Sequence, residues 1–131
     1  MLLVKQLNHA TCQQACIAML AGKSIESVIE YIGDKALSVT ERRNCFDIYG
    51  IKYPTDERAL LVTASKPFTA LMNDHKTMWL HIADYKDSSY AHAVMVHEKH
   101  MYDPWRGLDP IDWPWTRYIW TAMPILAAPA I

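Results

Sequence analysis

Helix punctuation in this chain is confined to one half, and strand punctuation to the other. Residues 1–50 carry helix start and stop signals, and residues 59–126 read mostly as strands. Thr11-Cys12-Gln13-Gln14 has the form of a capping box, Thr followed three residues later by Gln. That makes Thr11 the expected N-cap and Cys12 the first helical residue. Cys12, Ala15, Cys16, Met19 and Leu20 then fall on one stripe at helical spacing, and Gly22 ends the helix. Ser24 caps a second helix that buries Ile25, Val28, Ile29 and Ile32 and stops at Gly33. Ser38-Val39-Thr40-Glu41 is another capping box, opening a third helix that runs to Tyr49 with Gly50 after it. Ser65-Lys66-Pro67 reads as the start of a short helix carrying Phe68, Leu71 and Met72. Strand signals fall at residues 59–63, 78–83, 91–97, 100–103 and 117–123, and Pro104, Pro110 and Pro114 break the stretch between the last two. Helices first and antiparallel strands second is the order of an α+β domain, not of alternating βαβ units.

The 131 residues make one domain, 1–131, because no Gly- or Ser-rich linker divides them. With 51% hydrophobic residues the chain can build a core without disulfides or a structural metal. The net charge is -1 and the densest basic stretch is Arg42-Arg43, too small to follow a phosphate backbone, so no nucleic-acid partner is expected. The longest apolar stretch, residues 123–131, is interrupted by Pro124 and Pro129, so no membrane partner is expected either. Met1-Leu2-Leu3-Val4 is too short an apolar run for a signal peptide, and three cysteines are too few for a disulfide scaffold. A reducing cytoplasm is the compartment these features imply. Each thiol then needs its own explanation.

Cys12 is the first to single out. A thiol in the first turn of a helix faces unsatisfied N–H groups and the positive end of the dipole. The dipole is worth at most about 2 kcal/mol, or roughly one and a half pKa units. A reactive thiolate at neutral pH needs more, normally a histidinium partner. The stretch from His92 to Asp103 supplies one. If a hairpin is centred on Glu98-Lys99, residues whose numbers sum to 197 lie opposite each other, and Asp103 faces Val94. His92 and Asp103 are then diagonal neighbours on one side of the sheet, with Cβ atoms about 7 Å apart. Val94, Val96 and Met101 share that face and anchor it to the core.

These residues carry a resemblance. Gln6 to Leu20, QLNHATCQQACIAML, resembles the N-terminal signature of the C39-type papain-like cysteine peptidases, in which a glutamine precedes the nucleophilic cysteine by six positions. Gln6, Cys12, Ala15, Cys16, Ala18 and Met19 fall in register with it. His92-Ala93-Val94 resembles the family's histidine strand, Asp103-Pro104 its Asp-Pro, and SVTERRNCFDIYGI its intervening helix. The likeness spans roughly residues 1–107. It implies a papain-like fold, with a helical N-terminal half packed on a small antiparallel sheet. It also implies a peptidase or amide hydrolase acting on a peptide or protein substrate, with no cofactor and no metal. Cys12 would be the nucleophile, His92 the acid–base, Asp103 its orienter and Gln6 an oxyanion donor. A catalytically silent module that binds a protein, and a cysteine-dependent acyl transferase, are the alternatives.

Plainer roles stand beside these. Cysteines on apolar stripes are ordinarily small core hydrophobes, and Cys16 and Cys45 are read so. His9, Cys12 and Cys16, or His97 with His100, fit no common zinc spacing. His92 could be a satisfied core histidine, and His81 with Asp84 is a rival pair. Trp105, Trp113, Trp115, Trp120 and Tyr118 read as a flap over the sheet or as the lining of a substrate groove.

Overall fold

The computed structural model describes residues 1–54, 58–63, 72–83, 91–106, 110–112 and 118–131. Among the described residues, three helices come first: α1 (Cys12–Ala21), α2 (Ile25–Ile32) and α3 (Val39–Tyr49). Six strands follow: β1 (Arg58–Thr63), β2 (Thr77–Ala83), β3 (His92–His97), β4 (His100–Tyr102), β5 (Ile111–Asp112) and β6 (Tyr118–Pro124). They form one sheet in the order β1-β6-β2-β3-β4-β5, with every pairing antiparallel. This is the expected α+β architecture.

The helix ends follow the local code with one exception. Ser24 Oγ accepts the Ser27 N–H, and Ser38 and Glu41 bond reciprocally in a full capping box. Gly22 and Gly50 close α1 and α3 at φ of 67° and 72°, the left-handed region a Cβ disfavours. Thr11 is the exception. It sits at φ -109°, ψ 20° and makes no side-chain bond to the helix, so the capping box expected there is not formed. The stripe expected on α1 is also too narrow. Every residue of α1 except Gln13 is buried. A helix apolar nearly all round is an interior helix, and the sheet, α2, α3 and the C-terminal segment surround this one. Ala130 N–H, for example, donates to Leu20 O at 2.9 Å. In α2, Ile25 and Val28 are buried, whereas Ile29 and Ile32 are only partly so.

Both faces of β2 and β3 are buried. Trp79, Ala93, Met95 and Met123 pack with α1 and α3, while Leu80, Ile82, Val94, Val96, Met101 and Ile119 form a second cluster. Strand β5, among the prolines, was not anticipated; two residues pairing with β4 are too short to show a period of two. The helix expected to start at Ser65-Lys66-Pro67 lies, apart from Met72, outside the described residues, as do Asp84, Trp113 and Trp115.

Candidate active site

The site forms where the N-terminus of α1 meets the start of β3. The hairpin β3–β4 pairs Met95 with Tyr102, Val96 with Met101 and His97 with His100, all summing to 197. Its two-residue loop holds Glu98 and Lys99 at φ 51° and 67°, the left-handed pair whose twist suits a tight hairpin. Asp103, directly after β4, therefore lies diagonal to His92. His92 Nε2 is 2.6 Å from Asp103 Oδ1, and that oxygen also accepts the Trp105 N–H at 2.9 Å. Val94, Val96 and Met101 anchor the hairpin in the core, as the parity required.

Helix α1 brings the thiol to this pair. The Cys12 thiol lies within electrostatic reach of the His92 side chain and of the backbone N–H groups of Ala93 and Gln13. With Nε2 engaged by Asp103, Nδ1 is the ring atom left for the sulfur. Burial alone would push the Cys12 thiol up. The His92 hydrogen bond, the Ala93 N–H, the His92 charge and the Gln13 N–H outweigh it and hold the thiol below its ordinary value. Burial would pull His92 down, but its bonds to Asp103 and Cys12 raise it to about 9. A lowered thiol beside a raised imidazole favours a thiolate–imidazolium pair.

Gln6 is buried, 4% exposed, and its N–H donates to Pro104 O at 3.0 Å. The Gln6 segment is thus fastened to the residue after Asp103. Its side chain does not bond to the sulfur: Nε2 donates to Asn8 O at 2.8 Å, and Oε1 has no partner. The Thr11 hydroxyl faces the same segment, accepting the N–H groups of Leu7 at 3.0 Å and Asn8 at 3.2 Å. This competition explains the missing cap. One buried hydroxyl serves the turn before the helix instead of the helix itself.

The other thiols are core residues. Burial, then the neighbouring Cys12 and Asp103, pushes Cys16 far up, and burial takes Cys45 to about 11. Of the rival histidines, His81 bonds Thr121 Oγ1 at 3.0 Å and takes the Trp79 indole N–H at 3.4 Å, and burial first of all drives it down to about 3. His97 bonds Thr77 Oγ1 at 2.8 Å, and His100 bonds Glu98 O at 2.9 Å. Trp105, half exposed at 51%, stacks on His9 with centroids 4.6 Å apart, beside the residues that lead into Cys12.

Sequence reasoning missed Gln13 and Gln14 as more than capping residues. Gln14 Nε2 reaches Gly33 O and Lys35 O, and Gln13 Nε2 reaches Leu37 O. The available signal was two amides at the start of an otherwise apolar helix.

Comparison of the chain with protein-family models, curated proteins and solved structures gave no match.

Proposed function

We propose that this chain is a papain-like, C39-type cysteine peptidase, an amide hydrolase working through Cys12, His92 and Asp103 on a peptide or protein substrate. The observation that carries the reading is the buried 2.6 Å His92–Asp103 bond at the start of β3, with the Cys12 thiol at the helix start close enough for His92 to lower its pKa. The Cys12 thiolate attacks the carbonyl carbon, forming the C–S bond. The oxyanion meets the Cys12 backbone N–H and the hydrogen of Gln6 Nε2 not given to Asn8. His92 then gives its Nδ1 proton to the amine as the C–N bond breaks, leaving a thioester. Water, losing its proton to His92, hydrolyses the thioester and returns the thiolate. Asp103 orients the ring and stabilises its cation throughout. An amine in place of water would make the same site a transferase.

Labelling with a peptide electrophile, read by intact mass and site mapping, tests the reading, together with turnover of an activated ester. One adduct is expected, on Cys12, at pH 6, with Cys16 and Cys45 untouched until unfolding. Ester turnover should vanish in Cys12→Ala. Equal, slow reaction at all three thiols would overturn the proposal and leave a protein-binding module.

A further inference from the structure

Of the three helix starts among the described residues, only that of α1 lacks a side-chain cap. An uncapped first turn frays, because its leading N–H groups have no partner within the helix. Here that turn carries Cys12, and the Gln13 N–H is among the groups that lower its thiol pKa. The next two side chains hold the turn from outside. Gln14 is fully buried, and its Nε2 gives both hydrogens to main-chain carbonyls, Gly33 O at 3.0 Å and Lys35 O at 2.6 Å. Gln13 Nε2 donates to Leu37 O at 3.1 Å. These carbonyls belong to the loop between α2 and α3, which is itself secured: Leu37 is buried in the core, Ser38 opens the capping box of α3, and Lys35 pairs with Glu41 at 2.8 Å.

The two amides carry a cost. Gln13 Oε1 and Gln14 Oε1 are both buried without a partner, and an unsatisfied buried acceptor is destabilising. Packing alone would favour apolar side chains, as at every position from Ala15 to Ala21. What the amides add is their donors, and all three donated bonds restrain the turn that presents the sulfur.

We infer that Gln13 and Gln14 are positioning residues acting through Cys12: their amides clamp the uncapped first turn of α1 to the α2–α3 loop and hold the sulfur beside His92. The inference rests on Cys12 being the nucleophile proposed above.

The test is the pH profile of Cys12 alkylation by iodoacetamide in the intact protein, resolved by site. Gln14→Met keeps the length of the side chain and removes two donors. Gln13→Met removes the third at a less buried position. Gln14→Met should slow labelling at pH 6 about tenfold, a rise of about one unit in the thiol pKa, and Gln13→Met less so. At pH 10, where the thiol is ionised in every variant, the rates should converge. A lower melting temperature with a superimposable pH profile would mean a merely structural role and overturn the clamp. If Gln14→Met unfolds, Cys16 and Cys45 label together with Cys12, and Gln13→Met decides alone. Fast labelling in all variants sinks the clamp and spares the nucleophile; slow wild-type labelling sinks both.

Discussion

Helices α1 and α3 open with the same four-residue form, a hydroxyl residue followed three positions later by Gln or Glu, yet their starts are built differently. At α3, Ser38 Oγ accepts the Glu41 N–H, and Glu41 Oε1 accepts the Ser38 N–H, each at 3.1 Å. At α1, the Thr11 hydroxyl serves Leu7 and Asn8, and Gln14 reaches across to another loop. The difference shows that the N–H groups of a helix start can serve only one purpose at a time. A side-chain cap uses them for stability. Withholding the cap leaves them facing the Cys12 thiol, whose pKa the Gln13 N–H helps to lower.

The sharpest way to separate the two starts is to remove the charge that only one of them uses. Asp103→Asn takes away the carboxylate that supports a charged His92. Ester turnover should fall by about 10²–10⁴-fold, and alkylation of Cys12 at pH 6 should slow with it. The start of α3 has no part in this, so the melting temperature of Asp103→Asn should not respond differently when Ser38 is also changed.

Next in size is the contrast between the two hydroxyls. Thr11→Val strands the Leu7 and Asn8 N–H groups and should cost about 2 kcal/mol of stability. It should also slow Cys12 alkylation, with Thr11→Ser restoring both. Ser38→Ala should cost about 1 kcal/mol and leave alkylation unchanged. Denaturant melts with parallel thiol labelling make the comparison, and an equal effect of both changes on labelling would break it.

The smallest effect is in acid. Glu41 is held down to about 2 by its bond to Lys35, then by the Ser38 N–H. Its folded pKa lies below the unfolded value of about 4.3, so its contribution is complete above that value and is lost as pH falls towards about 2. His92 has the opposite sign. Raised to about 9, it stabilises most below its unfolded value of about 6.5 and loses that contribution as pH rises through about 9. The melting difference between wild type and Glu41→Gln should therefore shrink between about pH 5 and pH 2, by a small amount because the group is exposed. Melts across that range check it.

Much of the site could be read from the chain because its parts are local. The parity of the His92–Asp103 pair follows from a period of two and a short loop, and the pairing bears it out. The starts of α2 and α3 follow from side chains that bond within three residues. Thr11-Cys12-Gln13-Gln14 could not be read correctly in the same way. A hydroxyl and two amides have several possible partners, and the nearest in sequence did not win.

The sequence by itself determined the order of elements, the hairpin register and the position of Cys12 at a helix start, since each depends on backbone periodicity and neighbours a few residues away. Only the tertiary structure decided that β6 lies between β1 and β2, that the Cys12 sulfur meets His92, and that Gln13 and Gln14 reach residues 33–37. The physical reason is burial. Once α1 is enclosed nearly all round, water no longer satisfies its polar groups, and each must take whichever donor or acceptor the packed neighbours bring within reach.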